Sequence, residues 1–370
     1  PSVPNSFSKK VIMLSLSVSS ELSPPIKLLL FRLSIISFIL SHRCSIMPSY
    51  NIPFDVFVIA PASYNSINKA ALGIADSIVS ATIAAAIGRM ERGGIPVLFA
   101  PAMHGTMHNS ILSQSMKKLI EMGATLIQPI QSHGKNNLCS SDLIVATTIR
   151  ALSESPLRGK SLLITGGPTP VPVDNIRRIT TRFTGALSIQ LAREAWMRGA
   201  TVELILGKGS RPAPEYIKAK TSATFEDYRR TLNESLQEGN YDWGIFTAAV
   251  ADFQPESVFE GKLPSNQKQL SLKLVPTVKV IEEVRQHFPE LKMVTFKYEE
   301  NISHEELMEI AKNRLSEKGG SQLVVANRVE EFKQDGTQVA WLLESKQEPQ
   351  KHIGKKDIAN AILDRIELTA

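Results

Sequence analysis

SLLITGGPTPVPVDNIRRITTRFTG, residues 161–185, reads as a buried strand that opens into a long anion-binding loop. Ser161-Leu162-Leu163-Ile164-Thr165 is the short apolar run that suits the interior of a parallel sheet. Gly166 and Gly167 let the backbone turn sharply and face N–H groups toward an anion. Thr180-Thr181-Arg182-Phe183-Thr184-Gly185 supplies a second donor set ahead of a helical pattern over 186–199, and a helix N-terminus attracts phosphate. Between the two glycine sites runs a polar, proline-punctuated loop with Asp174, Arg177 and Arg178, far longer than the turn of a GxGxxG dinucleotide fingerprint. The segment contains no GxxxxGK[ST] either, so it argues against both a standard nicotinamide site and a P-loop phosphotransferase. Taken alone, it also fits an ordinary strand-loop-helix connection of an α/β domain.

Working outward, 370 residues allow two α/β domains, each large enough for its own core. The charged, proline-containing SESPLRGK at 153–160 separates a helical pattern from the next buried strand and reads as a linker. The expected division is an atypical segment over 1–50, disordered or misassembled, a partial domain over 51–152 and a complete domain over 158–370. The first segment is rich in Ser, Leu and Ile, begins without Met and shows no clear strand-helix alternation; the expectation is a truncated or wrongly framed start. Its run Ile26–Leu40 is too short for a comfortable membrane span and contains Arg32. The same segment holds five Lys/Arg and one Glu, four of the chain's six net positive charges, so the basic balance is no argument for nucleic-acid binding. Cys44 and Cys139 lie in no CxxC or Cys/His cluster, which fits a reducing cytoplasm and excludes a structural zinc site.

The C-terminal half, from about Lys160 to Leu368, resembles the phosphopantothenate–cysteine ligase domain of the bifunctional coenzyme A biosynthesis flavoprotein. The landmarks stand in that family's order: ITGGPT, VDNIRRI and TTRFTG, then Thr247-Ala248-Ala249-Val250-Ala251-Asp252-Phe253 and Gly261-Lys262-Leu263-Pro264-Ser265. LSLKLVPTVKVIEEV at 270–284, Val294-Thr295-Phe296-Lys297 and Leu323-Val324-Val325-Ala326-Asn327-Arg328 follow. The stretch from Asp55 to about Thr148 looks like the C-terminal part of the flavin-dependent phosphopantothenoylcysteine decarboxylase domain. It carries APASYNSINK at 60–69 and Pro101-Ala102-Met103-His104-Gly105-Thr106-Met107, with His104 where that family usually has asparagine. Counting back from Asp55, the family's catalytic histidine falls near Met47, and His42 is five residues too early. Cys139 matches the segment after the family's cysteine-bearing lid, and reads as a small packed cysteine.

The resemblance implies an incomplete flavodoxin-like domain followed by a Rossmann-like three-layer α/β ligase domain. It implies coenzyme A biosynthesis in the cytoplasm: 4′-phosphopantothenate, cysteine and CTP as small-molecule substrates, Mg2+ as the metal with its ligands unassigned, and no nucleic-acid or membrane partner. Ligase domains of this kind pair, so a homo-oligomer is expected. Lys262 stands ten residues after Asp252, the family's spacing for its essential lysine. Catalysis is assigned to Lys262 and Thr181, the latter where the family carries asparagine. Nucleotide contacts fall to Gly166, Gly167, Thr184, Gly185, Ala248, Asp252, Lys262, Phe296 and Asn327. Substrate contacts fall to Asp174, Arg177, His104 and Met107, and FMN contacts to Ser63, Asn65 and Met103. The KIKK pattern is reduced here to Lys262-Leu263-Pro264-Ser265, with Lys268 or Lys273 as candidate replacements. The broken first domain implies weak decarboxylation, with FMN binding in doubt. Two other readings stay open on the residues: a non-catalytic nucleotide- or flavin-binding module, and a nicotinamide oxidoreductase with an atypical loop.

Overall fold

The computed structural model describes residues 10–15, 34–39, 54–132, 135–264, 269–316, 320–345 and 347–369. The chain divides into two compact units, Pro1–Ser153 and Glu154–Ala370.

In the first unit the elements are β1 (Lys10–Ser15), β2 (Ser34–Ile39), β3 (Val56–Ala62), α1 (Tyr64–Leu72), α2 (Ile78–Glu91) and β4 (Val97–Pro101). After them come α3 (Ser110–Glu121), β5 (Thr125–Leu126), the β6–β7 hairpin (Ile130–Ser132, Lys135–Asn137) and α4 (Ser141–Leu152). The sheet has the order β2-β1-β3-β4-β5 and every pairing is parallel, the flavodoxin-like arrangement. All of Val56 to Ala60 is buried, as expected of a strand covered on both faces. Phe57, Ile59 and Phe99 pack against Ile67 of α1, Ile83 of α2 and Leu112 of α3. Each of the four described helices starts at a side-chain cap: Ser63, Ser77 with its reciprocal Ser80, Asn109 and Ser140.

Two of the sheet's strands lie inside residues 1–50, where the sequence suggested no strand-helix alternation. KVIMLS pairs with SIISFI from Lys10↔Ser34 to Ser15↔Ile39, and with β3 on its other side. Neither run alternates, and both are embedded in other Ser/Leu/Ile-rich sequence, so they do not stand out. His42, Cys44 and Met47 lie outside the described residues, as does most of Ile26–Leu40. Among the described residues no helix is long and apolar enough to cross a membrane.

The second unit opens with β8 (Ser161–Gly166), the β9–β10 hairpin (Val171–Pro172, Arg178–Ile179), α5 (Ala186–Met197), β11 (Thr201–Gly207) and β12 (Lys218–Ser222). It continues with α6 (Phe225–Glu238), β13 (Trp243–Phe246), the β14–β15 hairpin (Phe253–Pro255, Leu274–Pro276), α7 (Val280–His287) and β16 (Lys292–Glu299). The last elements are α8 (His304–Ser316), β17 (Leu323–Arg328), β18 (Val339–Glu344), β19 (Gln350–Ile353) and α9 (Lys355–Glu367). The sheet order is β12-β11-β8-β13-β16-β17-β18-β19, parallel through β17 and antiparallel beyond it. Alternate residues of β8 face opposite layers: Leu162 and Ile164 join α5 and α9, while Leu163 joins α6 and α7. Val324 and Ala326 of β17 pack on α8. The unit is therefore three layers, helix-sheet-helix, the class expected from the sequence. Because β8 leads to β11 on one side and has β13 on the other, the strand order reverses beside β8. At such a reversal, α/β sheets hold ligands in the crevice beyond the carboxyl ends of the strands.

Candidate functional site

The crevice is built by residues that only glycine can supply. Gly167 has φ of 75°, and a Cβ there would lie 1.9 Å from Ser210 Oγ. Gly185, with no side-chain cap, starts α5 from the left-handed region, and a Cβ on it would stand 3.3 Å from Gly167 N. The two donor sets of the sequence reading thus meet in space, with the first turn of α5 beside the Gly166-Gly167 turn. Thr184 is exposed, and its carbonyl accepts from Arg211 N at 3.0 Å.

The neighbouring wall comes from the exit of β13. Phe246 is in register with Thr165, Thr247 Oγ1 donates to Thr165 O at 2.8 Å, and Pro168 bridges Ala249. Thr169, 2 % exposed, accepts from Ala251 N at 2.8 Å and so ties the glycine loop to the loop after β13. Ala248 is half-buried in this wall, followed by exposed Asp252. Below Thr165, the Tyr228 hydroxyl donates to Thr165 Oγ1, and complete burial raises the phenol to about 12, against a smaller lowering by that bond. Phe296 is half-buried on β16, paired with Val325, and Asn327 on β17 is buried and opposite Tyr298.

Thr181 Oγ1 is buried with no hydrogen-bond partner among the described residues. Its loop is latched to the end of β16: the Phe183 ring meets Tyr298 edge-on at 5.5 Å, and Arg182 Nη2 reaches Glu300 Oε1 at 3.2 Å. Tyr298 also hydrogen-bonds Glu300; burial, then that bond, raises its phenol.

The structure gives several of the expected site residues other partners. Asp174 is 3 % exposed and its carboxylate is surrounded by donors of the protein itself: Ile176 N at 2.8 Å, Arg177 N at 2.5 Å, Leu263 N at 2.9 Å and Arg177 Nη1 at 2.5 Å. Burial opposes its charge, but the three N–H groups and the guanidinium outweigh it and hold the carboxyl far below its ordinary value. An acid so enclosed offers a substrate no face, which corrects its expected contact. Arg177 keeps a 42 % exposed side chain, with Nη1 used on Asp174 and Leu263 O. Asp252 Oδ1 accepts from Lys279 Nζ at 2.7 Å, both groups exposed. Lys279 was missed in the sequence because the β14–β15 hairpin stands between it and Asp252. Lys273, a candidate phosphate cation, instead pairs with Glu256 across that hairpin, and Lys268 lies outside the described residues. Lys262 is exposed, and among the described residues no acceptor engages it.

In the first unit the expected FMN residues collect at the carboxyl ends of adjacent strands β3 and β4. Asn65 is exposed and Met103 half-buried, a polar and an apolar contact that fit a flat ring with a polar edge. Ser63 Oγ is the cap of α1, accepting from Ser66 N at 3.2 Å. His104 Nδ1 lies 3.0 Å from Thr106 Oγ1, and Met107 is 46 % exposed. Cys139 is 4 % exposed.

Comparison with known proteins divides the chain in the same way. Residues 157–369 match the family of DNA/pantothenate metabolism flavoprotein C-terminal domains, and residues 41–153 match the flavoprotein family. The coenzyme A biosynthesis bifunctional protein CoaBC of Thermococcus kodakarensis is 33 % identical over 315 residues, covering 85 % of this chain and 76 % of that protein. The Bacillus subtilis protein of the same name is 31 % identical over 290 residues, covering 74 % and 67 %. A crystal structure of the DNA/pantothenate metabolism flavoprotein from Streptococcus pneumoniae shares the fold, with a TM-score of 0.52 at 23 % identity over 57 % of this chain and 100 % of that one.

Proposed function

The chain belongs to the family of bifunctional coenzyme A biosynthesis flavoproteins, and from that premise we propose which of its residues carry the family's chemistry. The C-terminal unit is the phosphopantothenate–cysteine ligase domain and the N-terminal unit the flavoprotein decarboxylase domain. Neither a nicotinamide oxidoreductase nor a non-catalytic module is favoured.

Joining a carboxylate to an amine is uphill in water, so the carboxylate is first activated. In our reading the carboxylate of 4′-phosphopantothenate attacks the α-phosphorus of CTP, forming an acyl-cytidylate and releasing pyrophosphate. The cysteine amine then attacks the acyl carbon, forming the amide, losing a proton and releasing CMP. Charge that builds on phosphate calls for fixed donors. The observation that carries this reading is the approach of Gly185 to Gly167, which sets the uncapped N-terminus of α5 beside the glycine turn. Lys262 is the cation for the phosphates, with Asp252 and Phe296 toward the ribose and base. Ala248, Thr184 and Asn327 are assigned to further nucleotide contacts, and Arg177 to the phosphopantothenate through its unused nitrogens. The Thr181 hydroxyl, buried without a partner among the described residues, stands in for the family asparagine in the second step. Mg2+ bound with the nucleotide phosphates would supply further positive charge there, and its protein ligands stay unassigned. Exposed Phe253, Val258, Phe259 and Leu274 around the β14–β15 hairpin supply an apolar face for pairing of ligase units.

The expected result is pyrophosphate release from the purified chain that needs 4′-phosphopantothenate and is greater with CTP than with ATP, with product formed only when cysteine is added. Silence with both nucleotides in folded protein would overturn the reading, and preference for ATP would overturn the nucleotide assignment.

For the first unit, bound FMN supplies an electron-accepting ring. Ser63, Asn65 and Met103 would hold it, with His104 and Met107 on the substrate side. With Met47 near the place of the family's histidine, the chain saturated with FMN is expected to release CO2 from phosphopantothenoylcysteine slowly. Release as fast as ligation would show that another base serves.

A further inference from the structure

Lys262 lies in a loop whose main chain is tied down on both sides. Its side chain is exposed, but the main chain on each side of it is fastened to the β9–β10 hairpin. Asn175 N donates to Gly261 O at 3.0 Å, and Phe259 N donates to Val173 O at 3.0 Å. On the other side, Leu263 N donates to Asp174 Oδ2 at 2.9 Å and Leu263 O accepts from Arg177 Nη1 at 3.3 Å. Asp174 is the hub, because the same carboxylate also accepts from Ile176 N and Arg177 N and so shapes the turn that presents Asn175. The Leu263 side chain is 8 % exposed, an apolar anchor beside the polar one.

We propose that Asp174 is a positioning residue that clamps the Gly261–Leu263 loop and so fixes Lys262 for the activation step. This rests on the ligase reading and on Lys262 as its phosphate cation. A carboxylate is suited to the task because it accepts several N–H bonds at once in a buried place, where a neutral side chain leaves some donors unpaired. Lys262 is bracketed by the clamped positions, so releasing either end lets its ammonium drift. Misplacement on the order of 1 Å costs about 10²-fold in rate.

The test uses the full chain with Asp174→Asn, Lys262→Gln and the double substitution, read by CTP-driven pyrophosphate release and by hydrogen exchange at the amides of Asn175 and Leu263. Asp174→Asn is expected to lower kcat by about 10²-fold, leave KM for phosphopantothenate near its original value, and speed exchange at both amides. Because Asp174 acts through Lys262, the double variant is expected to be no slower than Lys262→Gln alone. Losses that multiply in the double variant, a raised KM with kcat intact, or unchanged exchange would each overturn the proposal. If Asp174→Asn does not fold, Asp174→Glu keeps the charge but moves its oxygens off the Leu263 and Arg177 amides, and a fall in kcat with faster exchange at Leu263 is expected. Full turnover by Lys262→Gln would sink the assignment of Lys262, and the proposed effect on catalysis with it; the exchange data would then separately report whether the clamp exists.

Discussion

Lys262→Gln is expected to cut CTP-driven pyrophosphate release by about 10²–10³-fold, the usual loss when one donor is removed from a charge-stabilising site. The substitution is informative because Lys262 is exposed and among the described residues contacts nothing that folding needs, so stability should be unaffected. Glutamine keeps the length of the stem and a donor but removes the charge, which matters most when phosphate charge develops in the transition state. The loss should therefore fall mainly on kcat, while KM for the nucleotide rises less. A variant that loses only affinity, with kcat preserved, would make Lys262 a binding residue and move the activation role to another cation. Lys279, 2.7 Å from Asp252, would be the first to examine.

Gly207→Ala is expected to damage fold and site together. A Cβ at Gly207 would lie 1.5 Å from the carbonyl oxygen of Pro168 and 2.7 Å from its carbon, both backbone atoms of the loop after the glycine pair. Neither side has room to yield: Leu206 is in register with Gly166, Gly207 with Ser222, and Pro168 is bridged to Ala249. Forced overpacking costs about 1–3 kcal/mol, and this contact belongs at or above the upper end. In a unit of this size each kcal/mol lowers Tm by about 2–4 °C. Any relief moves Pro168, and with it the turn that faces α5, so nucleotide binding should fall as well. Gly209→Ala provides the contrast, since its Cβ would come only to 3.9 Å from Pro168 Cγ and its cost is that of φ near 103°, about 1–2 kcal/mol. Equal melting temperatures and equal nucleotide affinity for Gly207→Ala and the unmodified chain would refute the argument.

The parts of this molecule legible in its sequence are those written in local pattern. β8 announced itself as an apolar run ending in two glycines, and the carboxyl-edge location of the site followed from the parallel class. β1 and β2 escaped, because a short apolar run without turn signals looks like any other apolar stretch. Asp174 was read as a polar loop residue meant for substrate. Its decisive partner is the amide of Leu263, and a backbone N–H carries no residue signature. The Asp252–Lys279 pair was hidden for a related reason: it exists because Phe253 pairs with Pro276. The Arg182–Glu300 and Phe183–Tyr298 contacts also depend on which strand ends the sheet order makes neighbours.

The Asp174–Leu263 bond joins residues 89 apart in the chain, and that separation governs when the lysine can be in place. In the unfolded chain, closing so long a loop for one hydrogen bond is entropically unfavourable. Once β13 lies beside β8, with Trp243 opposite Leu162, most of that loop is already closed, and only short connections remain to be ordered. The Asp174–Leu263 bond is therefore expected to form only after the central strands have paired. During synthesis the Gly166-Gly167 turn and α5 emerge well before Leu263, so a nascent chain has the glycine turn before it has Lys262. If Lys262 serves as proposed, activation of a carboxylate would be reserved for chains whose central sheet has assembled.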